Sequence, residues 1–254
     1  MPLSIAINNK SYRELEEIST EGLYDLIKEG HIPSSSQPSL GEVLDAYNRN
    51  KHCEVLNITM SDGLSGTYGS ACMAKDMAEN PDNITVFNSR TLCGPQRFLV
   101  NKALALAAEG KSVQDIVKSL NSSVENSRSF LIPKDFDFLK RGGRLSAMAA
   151  AITGALGLVP VLTLTEDGKK LERYAMKRTF AKAIDAIIEK FLEMKVDESY
   201  KVYVCHALEP SLAEKAKLKI EDRIAGVEVE VFKLSPAFMT QGGPGCLSIQ
   251  VIKK

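Results

Sequence analysis

Apolar residues recur along the first half of the chain with two different spacings. Short apolar runs alternate with segments whose apolar residues fall three or four positions apart, which predicts strands and helices in alternation. The strand at Ile84–Asn88, followed by the helix at Pro95–Ala108, is one such pair. This order is typical of a parallel sheet with helices on its faces. The other elements predicted here are strands at 3–7 and 54–60 and helices that begin near Thr20, Leu40, Thr67 and Val113.

The second half has a different pattern. Glu166-Asp167-Gly168 lies between two strand-like runs and indicates a hairpin, so we expect a mixed or antiparallel sheet. The predicted strands are 128–132, 159–165, 171–176, 201–205, 228–233 and 246–252, with helices at 179–194 and 210–225. The sequence therefore predicts an α/β protein of two domains, a mainly parallel one at 1–125 and a mixed one at 126–254.

The stretch Leu145–Thr165 carries no charge and is long enough to test as a membrane span. Its many alanines are only weakly apolar, and Pro160 interrupts it. We therefore predict a buried helix of small residues at 146–156 that leads into a strand at 158–165, and no membrane insertion.

Composition and charge exclude several classes of function. Lys and Arg number 32, as do Asp and Glu, and there is no Trp, which argues against a nucleic-acid binder. Five scattered cysteines without a C-x-x-C pair, and three histidines, argue against a zinc site. The start has no basic and apolar leader pattern, so we expect reduced thiols and a cytoplasmic protein without a metal or cofactor.

A glycine loop, Ser61–Gly66, joins a predicted strand to a predicted helix. Such a loop directs backbone N–H groups at a ligand from the positive end of a helix, which favours an anion. It lacks the lysine of a Walker loop and the last glycine of a G-x-S-x-G elbow. Taken alone, Ser65 is better explained as a helix cap, which is the commonest role of serine at this position.

Three further segments have ordinary structural roles when each is considered alone. They are a serine loop that precedes Gln37-Pro38, a basic turn that contains Arg141 and Arg144, and a glycine-rich turn that begins at Gln241. A polar loop, a solvated turn and a tight bend would explain them. Of the histidines, only His206, at a strand end, has a plausible catalytic position.

Together and in this order, the segments resemble the DegV family of bacterial fatty-acid-binding proteins. Ser34-Ser35-Ser36-Gln37-Pro38-Ser39 is similar to its P-x-T-S-Q-P-S loop, and the run from Ser61 to Ala71 to its S-G-L-S-G-T-Y-x-S-A motif. The run Phe138–Ser146 resembles its L-x-x-G-G-R-I-S turn, and Gly242-Gly243-Pro244-Gly245 the end of its H-x-G-P-G motif. The resemblance covers the whole chain.

The resemblance implies a fatty acid bound between two domains, as a ligand and not a cofactor, with the acyl chain in a tunnel of the second domain. A helix near 147–158 would form part of the tunnel wall. Some family members pass the fatty acid to a kinase that makes an acyl-phosphate, and the exposed turn would make Arg141 and Arg144 contacts for that partner. The implied carboxylate-binding residues are Ser35, Ser36, Ser65, Gly66, Gln241 and Gly242.

Two departures from the family pattern are visible. The family opens with a strand and helix that bear a T-D-S-T-like turn, whereas Met1–Ile5 aligns with its second strand, so we expect this unit to be absent. The histidine of the last motif is Gln241, which donates an N–H but does not titrate. His31, close to Ser35, is the residue that would compensate.

Two other functions stay open at this point. Ser65 as the nucleophile of an acyl hydrolase or transferase would need a base that the sequence does not place beside it. A phosphate-ligand binder would need a cation, for which Arg141 and Arg144 are the candidates.

Overall fold

The computed structural model describes residues 1–150 and 157–254, without the side chains of Met148 and Ala150. The predicted α/β class is confirmed, since strands and helices are interspersed through the described chain. The strands are β1 (Ser4–Ile7), β2 (Lys10–Arg13), β3 (Ser34–Ser36), β4 (Val55–Thr59), β5 (Ile84–Asn88), β6 (Arg128–Ile132), β7 (Val159–Leu164), β8 (Leu171–Lys177), β9 (Tyr200–His206), β10 (Glu228–Lys233) and β11 (Leu247–Lys253). The helices are α1 (Thr20–Lys28), α2 (Leu40–Arg49), α3 (Thr67–Met77), α4 (Cys93–Ala108), α5 (Val113–Glu125), α6 (Phe136–Gly142), α7 (Ala147–Ala150), α8 (Phe180–Glu193), α9 (Pro210–Arg223) and α10 (Pro236–Gly242).

The largest described sheet has six strands in the order β10-β9-β11-β6-β7-β8. Strands β9 and β10 are parallel, and the other neighbouring pairs are antiparallel. The mixed sheet predicted for the second half is therefore confirmed. The predicted hairpin is also present, because β7 and β8 pair from Leu164 and Leu171 on either side of the turn that contains Gly168.

Strand pairing in the first half is less parallel than the sequence predicts. Strands β4 and β5 are parallel, but β1 pairs antiparallel with both β2 and β3. The β1–β2 turn is made by Asn8 and Asn9, both at positive φ, which is the two-residue geometry that Asn tolerates. Strand β3 consists of three serines, and its backbone pairs with β1 without any apolar alternation. The predicted polar loop at Ser34–Ser36 is thus a short strand.

Two short helices, α6 and α10, were not predicted. Each has seven residues, too few for an apolar period to be recognised. The first turn of α10 also has a non-local partner, because the buried carboxylate of Glu14 accepts hydrogen bonds from Ser235 Oγ at 2.7 Å and Ala237 N at 3.1 Å. The local signal for the start of α10 is Ser235 followed by Pro236. The Ser235 side chain, however, bonds Glu14 and not the backbone of its own helix.

Strand β11, in the middle of the six-stranded sheet, is buried on both faces. On β11, Leu247, Ile249 and Val251 belong to the core that α8 and α9 cover. Residues of the opposite parity face a second core, which also contains Ile5, Leu99 and Leu120 of the first half. This second core has members on both sides of residue 125, and a domain boundary near that point stays a prediction.

The uncharged segment is described only in part. Residues 147–150 are helical, as expected of the small-residue helix predicted at 146–156. The remainder of that predicted helix, residues 151–156, lies outside the described residues. Within the two described ranges, no helix has the length and apolar character that a bilayer span requires.

Gly94 allows the first turn of α4 to lie against the sheet. A Cβ at this position would lie 2.4 Å from Cγ of the buried Tyr203, whereas a Cβ at Gly69 in α3 would meet nothing within 4 Å. We expect Gly94→Ala to lower the free energy of unfolding by about 1–3 kcal/mol through overpacking. Gly69→Ala should raise it by about 0.5–1 kcal/mol, because alanine is the better helix former.

Urea denaturation of both variants beside the wild type measures the two free energies. Equal midpoints for Gly94→Ala and the wild type would contradict the close approach of α4 to β9.

Candidate functional site

A cavity of about 350 Å³ lies between the β1–β3 pair, the loop before α3, α10 and one face of the six-stranded sheet. Its volume is within the range of small-molecule sites, roughly 300–1,000 Å³. Most of its wall is apolar, with leucines, Met60 and two phenylalanines. All six predicted ligand-binding residues line it, namely Ser35, Ser36, Ser65, Gly66, Gln241 and Gly242. Their assignment to a ligand stays a prediction.

The glycine loop is held by contacts with the β7–β8 hairpin. Ser61 Oγ donates to the carbonyl of Gly168 at 2.6 Å, and a Cβ on Gly63 would lie 2.3 Å from the Lys169 backbone. Ser65 N donates to the Ser61 carbonyl, which closes a turn directly before α3. These contacts fix Ser65 in the cavity wall.

Ser65 also makes the local contact that its position at a helix start predicts. Its Oγ accepts a hydrogen bond from Thr67 N at 3.2 Å and shares a hydrogen with Thr67 Oγ1 at 2.7 Å. When Thr67 is the donor of that shared bond, the Ser65 hydroxyl hydrogen is available to the cavity. The N-cap of α3 is Gly66 and not Ser65, so the predicted capping role is wrong in detail. Ser65 accepts the Thr67 N–H from one position before the cap, and this contact is compatible with ligand binding.

Gln241 and Ser35 meet across the cavity wall although they are 206 residues apart in the sequence. Gln241 Nε2 donates to Ser35 Oγ at 2.9 Å, which leaves the Ser35 hydroxyl free to donate elsewhere. Gln241 Oε1 is buried without a hydrogen-bond partner among the described residues. Glutamine thus occupies the position expected of the family's histidine and directs one buried, unpaired polar atom into this region.

The two arginines of the basic turn differ in environment. Arg141 is exposed, as predicted, and its guanidinium lies 4.6 Å from the ring centre of Phe138. Arg144 is half-buried and lines the cavity, so the expected exposure is wrong for this residue. The turn is the end of α6, and the left-handed Gly143 that follows α6 directs the chain back towards the cavity.

Arg144 spans the gap between the basic turn and the glycine loop. Its Nε donates to the Leu64 carbonyl at 3.2 Å, and its Nη1 donates to the Gly142 carbonyl. No salt bridge to Arg144 occurs among the described residues. We call Ser35, Ser65, Gly66, Arg144 and Gln241 the polar cradle, because all five line the cavity and lie outside the six-stranded sheet.

Sequence reasoning missed a second polar region, which lies on the sheet. Ser129 of β6 and Ser248 and Gln250 of β11 line the cavity, and we call them the polar strip. Gln250 Nε2 donates to Ser129 Oγ at 2.8 Å and to the Leu92 carbonyl at 3.2 Å, while its Oε1 accepts from Gly94 N at 3.2 Å. The sequence signal that could have predicted this region is the alternation of Ser248 and Gln250 with apolar residues in the final strand.

Thiols flank the polar strip. Cys93 and Cys246 line the cavity, and Cys205 is buried on the adjacent strand β9. Burial raises the pKa of the Cys246 thiol to about 12 and also raises that of Cys205 well above its usual range. Both thiols are therefore protonated near neutral pH and serve as weakly polar parts of the wall.

His206 and His31, the two histidines considered as candidates, do not line the cavity. Burial lowers the pKa of His206, whose Nδ1 accepts a hydrogen bond from Glu209 N at 3.2 Å. His31 Nε2 is 3.7 Å from a Glu29 carboxylate oxygen, and neither histidine is among the residues that line the cavity. In the described part of the chain, no group of three His, Cys, Asp or Glu side chains is arranged to hold a metal ion.

Comparison with known proteins gives a consistent result. Residues 1–254 match the DegV family model, whose description reads "Uncharacterised protein, DegV family". A DegV domain-containing protein of Listeria innocua is 30% identical over 98% of this chain and 89% of its own. A crystal structure of DegV, a fatty acid binding protein from Bacillus subtilis, superposes with a TM-score of 0.88 at 30% identity, covering 100% of this chain and 91% of that one. A fatty-acid-binding DegV family protein from Thermus thermophilus gives 0.92 at 26% identity with the same coverage.

Proposed function

We propose that this chain, which belongs to the DegV family, binds a long-chain fatty acid in its cavity, with the carboxylate in the polar cradle. The relatives from Bacillus subtilis and Thermus thermophilus are described as fatty-acid-binding proteins. The cavity has both kinds of surface that such a ligand needs, since its wall is largely apolar and the side chains of Ser35, Ser65 and Arg144 also line it.

The environment of Arg144 is the observation that carries this proposal. Among the described residues, the half-buried guanidinium of Arg144 makes hydrogen bonds only to carbonyl groups, which do not compensate its charge. Burial of a charge is costly unless an opposite charge accompanies it. A ligand carboxylate would compensate the charge and accept hydrogen bonds from Ser35 and Ser65, and from Gly66 N. The assignment of Ser36 and Gly242 to the same carboxylate stays a prediction.

The acyl chain would supply most of the affinity. About fourteen methylenes at roughly 0.8 kcal/mol each give about 11 kcal/mol of favourable transfer free energy. Association costs at least ~4 kcal/mol. The remainder allows micromolar binding without covalent chemistry.

We further propose that the bound carboxyl group is presented to a fatty acid kinase, which forms an acyl-phosphate. Arg141 would contact that partner, because it is exposed on the turn that also carries Arg144. In this proposal Arg141 contacts the kinase, and Arg144 contacts the ligand carboxylate.

The acyl-hydrolase alternative depends on an activated Ser65. The Ser65 hydroxyl accepts a hydrogen bond from the Thr67 N–H and shares another with the Thr67 hydroxyl. Neither group is a base that could activate Ser65. No observation favours this function over binding.

Ser65→Ala and Ser35→Ala test the placement of the carboxylate. Each variant should lose about 1.5–3 kcal/mol of binding free energy, the value of a hydrogen bond to a charged group. Titration of delipidated protein with oleic or palmitic acid measures the loss. Ser70→Ala is the matched control, because Ser70 lies on α3 beside this loop but does not line the cavity.

Native mass spectrometry of the purified wild type tests the ligand class first. A co-purified mass equal to a fatty acid is expected. Failure of any fatty acid to bind delipidated protein would refute the proposed function, whereas unchanged affinity in both serine variants would refute only the placement of the carboxylate.

Arg141→Ala should leave the Kd for the fatty acid unchanged and lower the rate of acyl-phosphate formation by a bacterial fatty acid kinase with ATP. The physical reason is the loss of an exposed cation from the partner surface. Lys140→Ala is the control, since Lys140 is a neighbouring exposed cation paired with Asp137 at 3.4 Å. A fall in lipid affinity with a normal kinase rate at saturating lipid would contradict the assignment.

Gln241 should make binding nearly independent of pH between about 6 and 8, because its amide does not titrate and a Glu-like ligand carboxyl is ionised throughout that range. Gln241→His should introduce a dependence. The imidazolium attracts the carboxylate below its pKa, near 6.5, so affinity should fall as pH rises through about 6.5.

Titrations at several pH values of the wild type, Gln241→His and His31→Ala check this expectation. A transition in the wild type that disappears in His31→Ala would transfer the role to His31. A transition that persists in both proteins would show that the carboxylate is not beside Gln241.

A further inference from the structure

The polar strip is an unexpected surface for a cavity that holds an acyl chain. Ser129, Ser248 and Gln250 lie in the wall of the same cavity as the polar cradle, yet they belong to the six-stranded sheet and make no hydrogen bond with a cradle residue among the described contacts. A fully saturated chain would cover these groups without offering them a hydrogen-bond partner. The strip therefore needs an explanation beyond containment of the chain.

Gln250 has a structural role that is complete without a ligand. Its Oε1 accepts a hydrogen bond from Gly94 N, and its Nε2 donates to the Leu92 carbonyl and to Ser129 Oγ. These bonds join β11 to the start of α4 and to β6. The amide thus uses both of its hydrogens within the protein.

The two serines keep unused hydrogen-bonding capacity. Ser129 Oγ accepts from Gln250, and its hydroxyl hydrogen has no acceptor among the described residues. Ser248 Oγ donates to the Phe130 carbonyl at 3.1 Å, which leaves its lone pairs available as acceptors. One serine therefore offers a donor and the other an acceptor.

Sheet register brings this donor and acceptor close together. Gln250 is directly opposite Ser129, and Ser248 is opposite Leu131, so Ser129 and Ser248 are diagonal neighbours on one face. Diagonal neighbours have Cα atoms about 7–8 Å apart and Cβ atoms somewhat closer. One oxygen atom between the two hydroxyls can accept from Ser129 and donate to Ser248.

We propose that the polar strip is a subsite for a hydroxyl group on the acyl chain, and that the protein's preferred ligands are hydroxylated long-chain fatty acids. This inference rests on the proposed fatty-acid function and names its substrate class. The ligand hydroxyl has both hydrogen-bonding directions satisfied at the strip, whereas against a purely apolar wall it would lose its water partners without replacement. An unsubstituted chain instead covers the Ser129 donor and leaves it unpaired.

The test compares octadecanoic acid with a series of monohydroxy-octadecanoic acids whose hydroxyl is moved along the chain. Competition titration of the delipidated full chain gives a Kd for each ligand. We expect one hydroxyl position, or two adjacent ones, to bind about three- to tenfold more tightly than octadecanoic acid, which corresponds to one or two neutral hydrogen bonds. Hydroxyls elsewhere on the chain should weaken binding.

Ser248→Ala should remove most of that preference, and its binding of octadecanoic acid should not weaken. Ser129→Ala should also remove the preference, but it takes a hydrogen-bond partner from Gln250, so this variant is judged by the ratio of its Kd values for the hydroxylated and unsubstituted ligands. Ser36→Ala is the matched control, because this serine lines the cavity outside the strip. Any loss of affinity that it causes should be the same factor for both ligands. Thermal unfolding with and without octadecanoic acid checks the fold of each variant, and if Ser129→Ala does not fold, Ser248→Ala decides.

The outcomes separate this inference from the proposed function. Binding of octadecanoic acid with no preference for any hydroxyl position would overturn the inference alone. A preference that persists unchanged in the serine variants would also overturn it. If no fatty acid binds the wild type at all, both the proposed function and the inference are wrong.

Discussion

The hydrogen bonds of the Gln250 side chain fix the geometry on which the cavity depends. Gln250 lies on strand β11, between β9 and β6, and is fully buried, so its amide needs hydrogen-bond partners inside the protein. Gln250 finds them in the backbone of Leu92 and Gly94 and in Ser129. The start of α4 is thereby held against the sheet, and that contact forms one side of the cavity.

Parts of the cavity wall that are far apart in sequence are joined by similar contacts. The glycine loop before α3 is tied to the β7–β8 hairpin through Ser61 and Gly168, and Glu14 holds the first turn of α10. Gln241 of that helix then reaches Ser35 of β3. Each contact fixes a side chain that would otherwise be free to rotate, and this preorganisation lowers the conformational entropy that the protein loses when a ligand binds.

The charge of Arg144 gives the cavity its polarity. Its guanidinium hydrogen-bonds to two carbonyl groups, which orient it but cannot neutralise it. The apolar wall and the polar strip would add selectivity for the acyl chain, because the binding free energy at an uncharged surface depends on the length and the substituents of that chain. The proposed fatty-acid ligand follows from the charge of Arg144 and the apolar wall, and the proposed hydroxyl preference follows from the polar strip.

The sequence alone predicted most of the strands and helices, and it predicted together a set of residues that the structure brings to one cavity. Strands such as Ile84–Asn88 and Arg128–Ile132 were predicted at their observed bounds, because apolar alternation and turn residues are local properties. The helix that begins near Leu40 was likewise predicted, and the capping box of Ser39 and Glu42 at its start lies within four consecutive positions. The motif resemblance brought Ser35, Ser65 and Gln241 together in one prediction, and all three line the cavity.

Only the tertiary structure decided the features that rest on non-local contacts. Strand β3 forms from serines with no apolar pattern, because β1 supplies its backbone partners. Arg144 is half-buried instead of exposed, because the end of α6 turns it towards Leu64, which is 80 residues away in sequence. The polar strip arises from the register of β11 with β6. Local sequence determines which elements form, but the burial of a side chain and its hydrogen-bond partners depend on which elements pack together.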